Sequence, residues 1–283
     1  MRCERIRWQA WDAVRCVAGD CELVVGFSAG PRILSLRVEG GTNLLYADTT
    51  GFGVGEWRLY GGHRFTVGPE SAASYLPDNA PCAVEISEGR LRVTAPGGAD
   101  GLRRELDLTP AGDGAGFDVV HRLHHQGDVP WSGVLWGITC VPNTGHIVAP
   151  VGLEALRYWP GVGPADWRLD SGHLVLRRGC SRGKVGWYGD PAWLALRQPD
   201  AILAIHCPES PGPSCCEDSG CNVEVFVCAQ YSELETLSGK VHLTRGETAT
   251  HLQRWRVLDP SLIPGDWRSV GLQAGCMSTP TTP

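Results

Sequence analysis

The residues with the clearest chemical potential lie in the segment Tyr231-Ser-Glu-Leu-Glu-Thr-Leu237. On a strand, side chains alternate, so Glu233 and Glu235 share one face. The preceding run Asn222-Val-Glu-Val-Phe-Val227 alternates too, with Val223, Val225 and Val227 on one side and Glu224 on the other. A tight hairpin about Ala229-Gln230 would set Glu224 opposite Glu235. Like charges at that spacing repel, so one carboxyl must retain its proton or a cation must sit between them. Such a cluster suits general acid–base work at a polar substrate; a solvated strand face is the plain alternative.

A second group is Tyr60-Gly-Gly-His-Arg64, continuing to Pro69-Glu70. The forked donors of an arginine beside a histidine, framed by glycines, suit a polyhydroxylated ligand, although Gly-Gly-His-Arg also reads as a simple turn. A third is Lys184-Val-Gly-Trp187 after Ser181-Arg-Gly. Its glycines follow no phosphate-loop spacing and no helix follows, which excludes a P-loop. No strand–GxGxxG–helix unit exists, which excludes a dinucleotide fold. Eleven tryptophans are many for this chain, and Trp57, Trp131, Trp159, Trp167 and Trp187 fall in predicted loops. Indole faces stack on the C–H faces of sugars and the N–H donates to hydroxyls, so the set favours a carbohydrate-sized site over mere core filling.

The elements that must position these residues are strands. The chain has 283 residues, with Gly 37, Pro 20 and Met 2, and short Val/Leu-rich runs alternate between turn residues. CELVVGF, RILSLRV and NLLYA predict a meander from Cys21 to Leu45. AVEISEGRLRVTAP predicts a hairpin around Glu88-Gly89, and LRRELDLTP and GFDVVHRLHHQG predict two further strands. SGVLWGITCVP, HIVAPV, HLVLRRG, KVGWYGDPAWLALRQ, Ala201–Cys207 and the run from Asn222 to Leu258 continue the pattern. The one helical candidate spans Ser261 to Leu272. Together these predict an all-β chain, a large antiparallel sandwich over residues 1–260 followed by a C-terminal tail at 261–283.

Composition narrows function further. The formal net charge is -6, which argues against a nucleic-acid binder. The pairs Arg103-Arg104 and Arg177-Arg178 read as solvated strand faces. No apolar run approaches a membrane span. The N-terminal sequence has no apolar h-region, so a cytoplasmic location is expected. In a reducing compartment the twelve cysteines are expected to be mostly free thiols. Cys207, Cys215, Cys216 and Cys221 cluster without CxxC or finger spacing, and no metal is expected there.

Taken in order, Gly61-Gly-His-Arg64 with Pro69-Glu70, Leu135-Trp-Gly-Ile-Thr139, Lys184-Val-Gly186, Asn222-Val-Glu-Val225, Glu233-Leu-Glu-Thr-Leu237 and Trp255 resemble an uncharacterised bacterial family of the galactose-mutarotase-like (aldose 1-epimerase) superfamily. The resemblance covers about residues 20–258 and implies a β-supersandwich with a sugar site on one sheet. Leu234-Glu-Thr236 resembles the mutarotase segment whose Glu is the general base, which assigns that role to Glu235. Arg64 resembles the sugar-binding arginine early in those chains. The general-acid histidine of mutarotases lies in a His-Xaa-Phe-Asn context; the corresponding Val134–Thr139 has no histidine, leaving His63 as first candidate acid and His124 or His125 as second. Trp136 is expected to wall the site, and Lys184, Glu224 and Glu70 to join Arg64 around the ligand. The implied ligand is a small carbohydrate and no cofactor is called for. The alternatives are a non-catalytic carbohydrate-binding protein on the same fold, or a glycoside hydrolase or lyase using Glu224 and Glu235.

Overall fold

The computed structural model describes residues 1–48, 56–112, 114–170, 173–176 and 182–262. In chain order its strands are β1 (Arg2–Trp8), β2 (Trp11–Ala18), β3 (Cys21–Gly26), β4 (Arg32–Val38), β5 (His63–Gly68), β6 (Ala83–Ser87), β7 (Arg90–Thr94), β8 (Leu102–Pro110), β9 (Gly116–His125), β10 (Trp131–Pro142) and β11 (His146–Ala149). They continue as β12 (Arg157–Tyr158), β13 (Trp167–Asp170), β14 (His173–Leu176), β15 (Gly183–Trp187), β16 (Ala192–Arg197), β17 (Ile202–Cys207), β18 (Val223–Val227), β19 (Tyr231–Leu237), β20 (Val241–Leu243) and β21 (Thr248–Leu258). One sheet has the order β1-β2-β3-β4-β5-β10-β19-β18-β15-β12, with β20 also paired to β10. The other has the order β13-β14-β11-β16-β17-β21-β9-β8-β7-β6. The fold is thus an all-β, two-sheet antiparallel sandwich, as the alternation of the sequence requires.

A continuous apolar cluster fills the space between the sheets, with Leu23, Ile33, Phe65, Leu135 and Val225 from the first sheet meeting Leu106, Phe117, Val119, Ile205 and Trp255 from the second. Each such side chain contributes roughly 1.5–3 kcal/mol by leaving water. Strand β10 shows how alternation divides the molecule. Leu135 and Val141 point into this core, whereas Val134, Trp136 and Ile138 join Leu237 in a separate cluster on the outer face.

Three histidines interrupt the apolar core. His63 Nε2 lies 2.7 Å from His121 Nε2, and His63 Nδ1 lies 2.9 Å from Thr139 Oγ1. His121 Nδ1 lies 2.8 Å from the carbonyl oxygen of His251, whose own Nε2 lies 2.8 Å from Thr236 Oγ1. Gln253 Nε2 donates to the same hydroxyl, and Trp255 Nε1 donates to Gln253 Oε1. The network ties β5, β10 and β19 of one sheet to β9 and β21 of the other. Burial favours the neutral imidazole in each case, holding His63 well below its ordinary value and lowering His121 to about 4 and His251 to about 3.

Two expectations about elements are corrected. The segment NLLYA is not a strand. The Asn43 side chain takes two backbone groups of β4, its Oδ1 accepting from Leu36 N–H and its Nδ2 donating to the Leu34 carbonyl, and among the described residues the segment forms an isolated bridge between Ala47 and Gly61 in place of a ladder. The sheet also begins earlier than the meander read from Cys21, because β1 and β2 pair along their whole length from Arg2↔Val17 to Trp8↔Trp11. The helical candidate opens as a 3-10 turn at Pro260–Leu262; its remainder, like Arg177-Arg178, lies outside the described residues.

The histidine network yields a pH prediction. A histidine depressed in the folded state binds protons more readily when unfolded, so its stabilising contribution is complete above about pH 6.5 and drains away as pH falls toward 4. Chemical denaturation of the wild type and of His121→Gln across pH 7 to 4 checks this. The wild type's excess stability should shrink steadily on acidification, and a constant or growing excess would contradict it.

Candidate functional site

The register of β5, β10, β19, β18 and β15 sets the site. Ile138 of β10 is paired with Arg64 on one side and Glu235 on the other, and Glu235 is paired with Glu224. Arg64, Ile138, Glu235 and Glu224 therefore form one row across the outer face. The adjacent row on that face is Cys140, Glu233, Phe226 and Lys184. The turn joining β18 to β19 places Glu224 opposite Glu235, as the hairpin reading requires.

Lys184 resolves the repulsion between the paired carboxylates. Its Nζ lies 2.5 Å from Glu224 Oε2 and 3.1 Å from Glu235 Oε2, and all three side chains are at most 8% exposed. It also sits 4.4 Å from the centroid of Trp136 and 5.6 Å from that of Trp159. Burial disfavours the ammonium, but the charges of Glu235 and Glu224 outweigh this and raise Lys184 above its ordinary value. Glu224, sealed completely, is pushed up by burial against the pull of Lys184. Glu235 receives a further hydrogen bond from Trp136 Nε1, 2.7 Å from its Oε2, while its buried Oε1 has no hydrogen-bond partner.

Glu233 stands two residues along the same face and has a different environment. Among the described residues no cation pairs with it, and its nearest polar contact is the Cys140 thiol, with Sγ 3.6 Å from Oε1. Burial and the neighbouring charge of Glu235 raise it to about 8, with Arg64 and Lys184 opposing from farther away. Glu233 therefore keeps its proton near neutral pH.

Lys184, Glu233, Glu235, Trp136 and Trp159 line a cleft of about 760 Å³. Its walls are aromatic: Trp57, Tyr75, Trp136, Trp159, Phe226 and Tyr231. Tyr75 meets Trp57 edge-on at 5.1 Å, and the Tyr75 hydroxyl donates to Glu70 at the rim. Arg64 closes the far side, 4% exposed, its Nη2 donating to the Ser74 carbonyl at 3.0 Å and its guanidinium 5.5 Å from the Trp57 centroid. The glycines before it have a backbone purpose. Gly61 and Gly62 have φ of 71° and 65°, and a Cβ on either would collide with the carbonyl oxygen of Tyr46 or Ile33.

Glu235, Arg64, Trp136, Lys184 and Glu70 are brought together around the cleft, with Glu224 directly beneath Lys184. The histidines are not. Because Arg64 faces the cleft, its neighbour His63 must face the core, where it is fully buried against Thr139 and His121. His124 and His125 belong to β9 in the other sheet; His124 contacts Thr248 and Glu105 there. None of the three lines the cleft, and the candidate acids are corrected accordingly. Of the loop tryptophans, Trp57 and Trp159 form the wall, while Trp167 and Trp187 are core residues at 2% and 1% exposure. Tyr231 and Phe226 were missed by the sequence reading, although the alternation that links Glu233 to Glu235 also includes Tyr231. Among the described residues no group of three or more His, Cys, Asp or Glu side chains is arranged to hold a metal ion.

No protein-family profile matches the sequence, and no curated protein sequence matches it. Solved structures do share the fold. A putative aldose 1-epimerase from Klebsiella pneumoniae aligns with a TM-score of 0.66 at 8% identity, over 99% of this chain and 88% of the other. A galactose mutarotase-like protein from Lactobacillus casei aligns with a TM-score of 0.60 at 10% identity, over 87% and 99%. A TPR-domain containing protein from Parabacteroides distasonis aligns with a TM-score of 0.66 at 14% identity, over 96% of this chain and 49% of its own. The architecture is therefore galactose mutarotase-like.

The Lys184 cluster makes a direct prediction. Lys184→Met leaves two buried carboxylates without their cation and should destabilise the protein by about 3–5 kcal/mol at pH 7. The loss should shrink at pH 5, where a carboxyl raised by burial takes up a proton. Urea denaturation at the two pH values measures it, and a loss below about 1 kcal/mol at pH 7 would contradict the arrangement.

Proposed function

We propose that the cleft binds a reducing sugar and that the protein interconverts its anomers, an aldose 1-epimerase-like reaction in which Glu235 is the base and Glu233 the acid. One observation carries this reading: two carboxyls face the same aromatic cleft, one paired with Lys184 and accepting from Trp136, the other without a cation and raised to about 8. Neighbouring carboxyls in such different environments suit the two halves of an acid–base pair.

In this mechanism the unpartnered Oε1 of Glu235 takes the proton of the anomeric hydroxyl. The C1–O1 bond gains double-bond character as the C1–O5 bond breaks, and the electron pair released onto O5 takes up the proton of Glu233. Rotation about C1–C2 in the open-chain aldehyde and reversal of the same transfers close the ring as the other anomer. Lys184 holds Glu235 in place as its partner, and the indoles of Trp57, Trp136 and Trp159 offer apolar faces to the ring. The galactose mutarotase-like architecture supports this reading. It replaces the expected histidine acid with a carboxyl on the base's own strand.

Two-dimensional exchange NMR on reducing sugars tests the proposal. Glu235→Gln and Glu233→Gln should each lower the enzyme-catalysed exchange rate by about 10²- to 10⁴-fold while sugar binding persists. In the wild type the rate should fall as pH rises through about 8, where Glu233 loses the proton it must donate. Sugar binding with no catalysed exchange in the wild type would instead make the protein a carbohydrate-binding module.

A further inference from the structure

The cations around the cleft are not equally matched. Lys184 is engaged by two carboxylates. Behind the cleft, Arg32 is paired with Asp78, its Nη2 at 2.7 and 2.8 Å from the two carboxylate oxygens, and Arg104 is paired with Asp100 at 2.7 Å. Arg64 differs. Among the described residues no carboxylate oxygen lies within 4.0 Å of its guanidinium, and its Nε has no hydrogen-bond partner. It is nevertheless 96% buried, since 4% of its surface is accessible, and it lines the cleft. An arginine does not escape burial by losing its proton, so a desolvated guanidinium is matched only by an anion. Asp78 is hydrogen-bonded to Arg32 and acts on Arg64 only from beyond 4.0 Å, and Glu233 keeps its proton near neutral pH.

We propose that the sugar taken by this cleft is anionic, a hexuronate or a hexose phosphate, and that Arg64 receives its charged group. The inference rests on the reading of the cleft as a sugar site. It follows from placement as well as charge. Arg64 and Glu235 lie on one row with a single strand between them, so their backbones are about 10 Å apart. A pyranose ring set over Ile138 brings its anomeric carbon to Glu235 and turns the exocyclic substituent on C5, across the ring oxygen from C1, toward Arg64. The carboxylate or phosphate on that substituent meets a planar fork with free donors, the geometry that favours arginine over lysine. Arg182, exposed at the opening and 5.7 Å from the Phe226 centroid, adds a second cation on the approach. The opposing charge at the rim, Glu70, accepts the Tyr75 hydroxyl.

Isothermal titration of the full chain with matched ligands tests this: D-galacturonate against D-galactose, D-glucose 6-phosphate against D-glucose, and inorganic phosphate and acetate as bare anions. At least one anionic sugar should bind roughly ten- to a hundredfold more tightly than its neutral parent, the range of a charge-assisted hydrogen bond. Arg64→Gln should remove that preference, costing the anionic sugar far more affinity than its neutral parent, and Arg64→Lys should restore part of it. Tight binding of the uronate alone assigns a carboxylate, and of the phosphate alone a phosphoryl group. Equal binding of anionic and neutral sugars, or a uniform loss of both in Arg64→Gln, would overturn the proposal while leaving the sugar site intact. A bare anion that binds as well as the anionic sugar would overturn it too. If no sugar of either kind binds to folded wild-type protein, the reading of the cleft itself falls, and this inference with it. Should Arg64→Gln fail to fold, the wild-type comparison alone decides.

Discussion

The ammonium of Lys184, wedged between Glu224 and Glu235, is the interaction on which the site's electrostatics depend. Two glutamates on adjacent strands in direct register repel unless a cation separates them. Lys184 supplies it from the next strand, flanked by Trp136 and Trp159. Glu233, two residues from that pair, has no cation of its own, and burial together with the neighbouring charge of Glu235 makes it hold its proton. Arg64, across β10, has no carboxylate within ion-pair distance among the described residues. The polarity of the cleft follows from one buried cation and the register that delivers it.

The same alternation governs the other side of these strands. Thr139 and Thr236 are immediate neighbours of Ile138 and Glu235, and they point inward to the histidine network. The floor of the cleft is therefore hydrogen-bonded through the core to β9 and β21, so a shift of β19 would break buried polar contacts as well as apolar packing. Neutral imidazoles suit this position because they donate and accept without placing charge between the sheets. Rigid placement of Glu233 and Glu235 is what acid–base transfer to adjacent atoms of one ring requires.

The sandwich was legible because strand periodicity is local. Alternating Val, Leu and charged residues defined most strands from β3 onward, and the Glu224–Glu235 pairing followed from one hairpin. The pairing of Arg64 with this cluster was suggested by family resemblance and became concrete only through β10, a partner more than seventy residues distant in sequence. His63 shows the limit of reading chemistry from residue type: one step along a strand turns a candidate acid into a core residue. Glu233 was recognised as sharing the face of Glu235, but its separate protonation depends on which of the two Lys184 reaches, and that is a tertiary fact. The tryptophans were informative as a set and ambiguous singly, since a loop assignment does not distinguish Trp159 in the wall from Trp187 in the core.

The account turns on the division of one proton between neighbouring carboxyls, and carboxyl carbon NMR of protein labelled with ¹³C at the glutamate side chains measures it directly. One resonance, absent from Glu233→Gln, should remain that of a protonated acid at neutral pH and titrate near 8. If Glu233 titrates with the ordinary value of about 4.3 for a glutamate, it has no proton to donate at neutral pH, and the assignment of acid and base fails.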